Sequence, residues 1–128
     1  MLEGWHGARV TVMGLGRFGG GGGVTRWLLG QGARVVVTDR SNSAELRSTC
    51  EALSEEAKAL PGAFTARLGR HDQRDFTAVD AVVVNPAVPQ PWNQPLLRAA
   101  AEAGVPRTTE IRLVVERLNR SRVIGVTG

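Results

Sequence analysis

A β-branched run that passes directly into glycines constrains the fold of this chain more than any other feature. Residues 10–12 are Val-Thr-Val, and Gly14, Gly16 and Gly19 then form a G-x-G-x-x-G pattern, followed by a helix-forming segment around Trp27. This pattern indicates phosphate binding when it joins a strand to a helix, because glycine backbone approaches the phosphate closely and the helix N-terminus attracts the anion. The sequence therefore predicts a nucleotide-diphosphate site at this turn. The alternative is a glycine-rich loop that binds nothing.

The composition is that of a single globular domain. The 128 residues are 42% hydrophobic and 22% charged, and their net charge of +4 comes from arginines scattered along the chain. Because the arginines are not clustered with aromatic residues, an arginine-biased proteome together with a phosphate-bearing ligand explains the charge better than a nucleic-acid partner does. Cys50 is the single cysteine, which excludes an internal disulfide and a cysteine-based metal site. No signal peptide or membrane-length apolar run is found, so we expect a cytoplasmic protein without a membrane partner.

Strand patterns alternate with helix patterns along the chain. This alternation predicts an α/β fold, a Rossmann-like doubly wound sheet of about five mainly parallel strands with helices on both faces. Ser43 is a good N-cap for the second helix, and Gly32 lies where a helix C-cap belongs. The predicted strands cover residues 9–13, 34–38, 64–68, 81–84 and a short segment from 105, with a last strand at 123–126; the predicted helices cover 20–31, 44–60, 95–103 and 108–118.

The candidate site lies where the carboxyl ends of the parallel strands meet. Asp39 ends the second predicted strand, twenty positions after Gly19, and is suited to accept a hydrogen bond from a ribose hydroxyl or a base N–H. Arg17 and Arg40 flank this edge, where a guanidinium group could contact phosphate or stack on a base. The alternatives are a turn residue for Asp39 and solvated surface charges for the arginines. A stiff wall for a base or sugar is predicted at Asn85, Pro86 and Ala87.

Catalytic residues are not evident. His6 lies in the leader and His71 in a polar loop, and we expect each to be structural or exposed. Asp72, Asp75 and Asp80 form a loose acidic stretch without metal-ligand spacing, and no nucleophile–base pair is recognisable. The sequence therefore predicts a domain that binds a ligand and does not catalyse.

Several motifs, in order, resemble the D-glutamate-adding Mur ligases, the UDP-N-acetylmuramoyl-L-alanine:D-glutamate ligases. The resemblance covers nearly the whole chain but only the first of that family's three domains. One departure is the run of five glycines at 19–23, where the family pattern has a larger residue among the glycines. The motifs are V-M-G-L-G-R-F-G at 12–19, V-T-R-W-L at 24–28, T-D at 38–39, V-V-N-P-A-V-P at 83–89, T-T-E-I at 108–111 and I-G-V-T-G at 124–128.

The resemblance implies that this domain holds the uridine diphosphate end of UDP-N-acetylmuramoyl-L-alanine. Arg17 and Phe18 would present backbone N–H groups to the diphosphate, Asp39 and Arg40 would surround the uracil, and residues 85–87 would line the opposite wall. The fragment itself would need no cofactor and would be inactive.

The resemblance also implies a larger enzyme. Residues 1–121 would form the UDP-binding domain, and residues 122–128 would begin a central domain whose phosphate loop binds ATP. The full-length enzyme is expected to use ATP and magnesium, which would bind with D-glutamate in central and C-terminal domains that are missing from this chain.

Two other classes of protein compete with this interpretation. The glycine spacing and Asp39 fit the NAD-binding domain of an oxidoreductase equally well, although such a domain has no need of the wall at 85–89 or of the Gly-Val-Thr-Gly motif at 125–128. A nucleic-acid-binding module is suggested only by the net charge.

Overall fold

The computed structural model describes residues 5–14, 20–84 and 94–108. The described chain alternates strands and helices, as the sequence predicts. The strands are β1 (Arg9–Met13), β2 (Arg34–Asp39), β3 (Ala63–Leu68), β4 (Ala81–Val84) and β5 (Arg107–Thr108), and the helices are α1 (Gly20–Gly30), α2 (Ala44–Ala57), α3 (Arg74–Thr77) and α4 (Pro95–Glu102).

All five strands belong to one parallel sheet in the order β3-β2-β1-β4-β5. The central strand β1 pairs with β2 on one side, where Val12 lies opposite Val37, and with β4 on the other, where Val12 lies opposite Val83. Valine predominates in these three strands because a parallel sheet is covered on both faces and favours β-branched residues.

The first face of the sheet packs against α1 and α2. Leu28 and Leu29 of α1 and Leu53 of α2 are fully buried against alternate residues of β1 and β2. Ser43 caps α2, since its side chain accepts a hydrogen bond from the Leu46 N–H at 3.2 Å. This hydrogen bond confirms the predicted N-cap of the second helix.

The second face packs against α3 and α4. Phe76 of α3 and Leu97 of α4 are fully buried with Met13, Val82 and Val84, which point to the opposite side of the sheet from the first core. Helices therefore cover both faces, and the predicted doubly wound α/β fold is confirmed.

Some elements differ from the predicted ones. The second helix ends at Ala57 instead of residue 60, because the N–H groups of residues 58–60 bond three residues back, in a tighter turn. The one-turn helix α3 was not predicted, and the fifth strand begins at Arg107 instead of residue 105. The predicted helix at 108–118, the strand at 123–126 and the domain boundary at 121 lie outside the described residues, apart from residue 108 at the end of β5.

Candidate functional site

The sheet has a topological switch point between β1 and β4. From β1 the chain adds β2 and then β3 on one side, whereas β4 and β5 lie on the other. The last residues of the two central strands, Met13 and Val84, are partners in register, so both strands end at the same edge. Ligands of open α/β sheets bind at such a point, beyond the carboxyl ends of the strands.

Gly14 follows β1 at this edge and has a backbone conformation that favours glycine. Its φ is +85°, a left-handed conformation that side chains disfavour. Its N–H donates a hydrogen bond to the carbonyl oxygen of Thr38 at 2.8 Å, which ties the start of the glycine pattern to the end of β2. This geometry suits the first glycine of a phosphate-binding turn, which must bend sharply away from the sheet.

Asp39 ends β2 next to this contact and is half-buried. Its Oδ1 accepts a hydrogen bond from the Ser41 N–H at 2.9 Å, and its backbone carbonyl accepts one from the Gly69 N–H at 2.9 Å. Arg40 follows with an exposed side chain. The structure thus brings Gly14, Asp39 and Arg40 to one edge of the sheet, where the sequence predicts them.

The remaining predicted site residues lie outside the described residues, and their assignments stay predictions. They fall in the segments that follow β1 and β4 in the sequence, on either side of the switch point. These residues are Gly16, Arg17, Phe18, Gly19, Asn85, Pro86 and Ala87.

His71 is a residue of this edge that the sequence interpretation did not include. Its Nδ1 lies 2.6 Å from the hydroxyl oxygen of Thr38, and its ring packs edge-on against Phe76, with ring centroids 5.8 Å apart. Burial lowers the pKa of His71, with an opposing contribution from the negative charge of Asp39. The one sequence signal that could have found it is its place three residues after β3, at the carboxyl edge of the sheet.

Two further observations concern a reactive thiol and metal binding. Cys50 is buried in α2, and burial raises the pKa of its thiol, with a smaller contribution from Asp39, so it does not have the character of a reactive thiolate. Within residues 5–14, 20–84 and 94–108, no cluster of His, Cys, Asp or Glu side chains is suited to hold a metal ion.

No helix in the described part of the chain is long and apolar enough to cross a membrane.

A cavity of about 270 Å³ lies at the opposite end of the sheet. Its lining includes Arg9 and Arg34, the first residues of β1 and β2, together with Val36 and Arg74. Because ligands of this fold bind at the carboxyl edge, this cavity is separate from the candidate site.

The fold and the switch-point geometry define a Rossmann-like doubly wound domain. The chain belongs to the Mur ligase family, because the family model for the MurD-like N-terminal domain matches residues 8–109. This match covers β1 to β5 and includes Gly14, Asp39 and His71.

Curated relatives agree with this family assignment. The chain is 41% identical over 122 residues to the UDP-N-acetylmuramoylalanine--D-glutamate ligase of Anaeromyxobacter dehalogenans (strain 2CP-C), covering 95% of this chain and 24% of the relative. It is 43% identical over 123 residues to the ligase of the same name from Roseiflexus sp. (strain RS-1), again covering 95% of this chain and 24% of the relative. The chain therefore spans about a quarter of the length of these relatives.

A solved structure supports the fold. The pseudomurein peptide ligase type C from Methanothermus fervidus is similar with a TM-score of 0.65, at 19% identity, over 88% of this chain and 21% of that chain.

Proposed function

We propose that this chain is the N-terminal domain of an ATP-dependent ligase that adds D-glutamate to UDP-N-acetylmuramoyl-L-alanine, and that it holds the uridine diphosphate part of that substrate. The observation that carries the proposal is the family match over residues 8–109, which contain the glycine turn and Asp39. The names of the relatives support the choice of substrate, since both are ligases for UDP-N-acetylmuramoylalanine and D-glutamate.

The geometry at the switch point supports the placing of the nucleotide. The turn that starts at Gly14 would bind the diphosphate through backbone N–H groups, while Asp39 and Arg40 would contact the uracil at the end of β2. We propose further contacts from residues outside the described ranges. The rest of the glycine turn, Gly16, Arg17, Phe18 and Gly19, would also bind the diphosphate, and Asn85, Pro86 and Ala87 would form the opposite wall of the site.

The reaction itself would need other parts of the enzyme. ATP, bound with magnesium, would transfer its γ-phosphate to the substrate carboxylate with release of ADP, and the amine of D-glutamate would attack the resulting acyl phosphate with release of phosphate. We assign these steps to the central and C-terminal domains, with the boundary near residue 121, so this chain alone binds substrate without forming the amide bond. The enzyme would act in the cytoplasm on the peptidoglycan precursor, and would thereby support cell-wall formation, cell shape and division.

The competing function is NAD binding in an oxidoreductase, which the glycine spacing and Asp39 also permit. Calorimetric titration of the chain with UDP and, separately, with NAD distinguishes the two. The proposal expects heat from UDP binding and none from NAD. Binding of NAD alone, or of neither nucleotide, would contradict it. Amide-bond formation by this chain with ATP and D-glutamate would contradict the assignment of catalysis to other domains.

A further inference from the structure

The loop that follows β3 folds back over the end of β2. The Gly69 N–H donates to the Asp39 carbonyl at 2.9 Å, and Arg70 forms an antiparallel bridge with Asp39. His71 completes the closure through its 2.6 Å contact with the Thr38 hydroxyl. The loop is therefore fixed to Asp39, a proposed contact of the nucleotide, and to Thr38 before it.

Thr38 connects His71 to the glycine turn. The threonine is fully buried, its hydroxyl lies 3.3 Å from the Arg70 carbonyl as a donor, and its own carbonyl accepts the Gly14 N–H at 2.8 Å. When the hydroxyl proton points to Arg70, the imidazole Nδ1–H donates to the hydroxyl oxygen. A single residue thus bonds through its side chain to the imidazole and through its backbone to the first glycine of the turn.

We propose that His71 is a positioning residue of the nucleotide site, which acts through Thr38 to hold Gly14 and Asp39 in the geometry that binds a nucleoside diphosphate. This inference rests on the proposed function and deepens it. The edge-on contact with Phe76 fixes the ring from the core side, at a centroid distance of 5.8 Å, so the imidazole is held between the second core and the site.

Charged groups around His71 influence its pKa, so this pKa should respond to a bound ligand. Asp39 and Arg40 face it from the end of β2, and Asp75 faces it from α3. Burial, with a smaller contribution from the positive charge of Arg40, outweighs the two carboxylates and lowers the pKa of His71. A bound diphosphate adds negative charge near Thr38, which should raise that pKa, since charges within about 8 Å are incompletely screened at physiological salt.

The test that needs no substitution is NMR titration of the histidine rings. The chain contains two histidines, His6 and His71, so each ring signal can be assigned with a His6→Ala variant. Titration between about pH 5 and pH 8, with and without UDP, should show an upward shift of the pKa of His71 on binding. An unchanged pKa of His71 with UDP bound would place the diphosphate away from Thr38 and would overturn the inference.

Substitutions test the positioning role directly. His71→Ala should weaken UDP binding about tenfold, the size of one lost hydrogen bond, whereas His71→Asn, whose amide can replace the Nδ1 donor, should restore most of the affinity. Thr38→Val should weaken binding to a similar extent and should make the further loss from His71→Ala small, because the two residues act as a pair. His6→Ala is the matched control, since its side chain is exposed outside the site.

The outcomes separate this inference from the proposed function. If the unchanged chain binds UDP and both His71 variants bind it with the same affinity as the unchanged chain, the inference is overturned and the proposed function stays intact. No UDP binding by the unchanged chain would overturn both. Thermal unfolding of each variant identifies any that fails to fold. Should His71→Ala fail to fold, Thr38→Val decides the matter, because it removes the same hydrogen bond, and unchanged UDP affinity in that variant would overturn the inference.

Discussion

Replacing Asp39 by alanine should weaken UDP binding much more than replacing Arg34 does, although both residues belong to β2. Asp39 is half-buried at the carboxyl end of the strand, beside the Thr38–Gly14 hydrogen bond. A hydrogen bond to a charged group contributes about 1.5–3 kcal/mol, which corresponds to about a 10- to 150-fold increase in Kd when it is lost. The expected loss for Asp39→Ala lies in this range.

Arg34 is the matched control because it opens the same strand. It is exposed and lies five residues before Asp39, about 16 Å away at the rise of a strand. At that distance its charge is screened at physiological salt, so Arg34→Ala should leave the Kd for UDP nearly unchanged.

Calorimetry with UDP measures both effects, and a third variant separates ligand binding from loop support. Asp39→Asn keeps an oxygen that can accept from the Ser41 N–H, so it should preserve the loop geometry seen at 2.9 Å while it removes the charge. We expect its Kd to lie between those of the unchanged chain and Asp39→Ala. Equal losses of affinity in Asp39→Ala and Arg34→Ala would refute the placing of the nucleotide at the carboxyl edge.

Three further predictions concern the stability of the fold. Phe76→Ala should lower the free energy of unfolding by about 3–5 kcal/mol, because the ring is fully buried; a loss below about 1 kcal/mol in denaturant titration would contradict that packing. Gly62→Ala should destabilise by about 1–3 kcal/mol, since a Cβ there would lie 2.4 Å from the Ala33 carbonyl oxygen. Gly30→Ala places its Cβ in open space and should be neutral or slightly stabilising. Equal thermal midpoints for Gly62→Ala and Gly30→Ala would contradict the close packing at Gly62. Because burial lowers the pKa of His71, the unfolded chain takes up a proton before the folded chain does as the pH falls below about 6.5. Unfolding measured across this range should therefore show stability declining toward acid, and His71→Asn should remove part of that slope.

The regular elements could be predicted from the sequence because their signals are local. The valine runs of β1 and β4 predicted both strands with their observed bounds. Gly32 ends the first helix region with a φ of +86°, as its C-cap position predicted. These features depend on neighbouring residues alone, so one sequence is sufficient to locate them.

The helix α3 could not be predicted in the same way. Its four residues are too short for a helical period to be recognised, and the acidic residues around it resemble a polar loop. What fixes α3 is distant in sequence: Phe76 enters the second core, and Arg67 of β3 lies 2.7 Å from the buried carboxylate of Asp75. A segment held by such contacts gives no pattern of its own, because its stability comes from partners that only the fold brings near.

The same distinction applies to the candidate site. Gly14 and Asp39 could be predicted because a parallel sheet brings the carboxyl ends of all its strands to one edge, and the sequence shows where β1 and β2 end. His71 could not, since its partner Thr38 lies 33 positions away and the contact depends on how the loop after β3 turns back. Topology thus determines which residues meet at the edge, and side-chain pairing determines how rigidly they are held. The pairing of Thr38 with His71 is therefore a contact whose loss we expect to weaken the proposed nucleotide site without removing any group that touches the ligand.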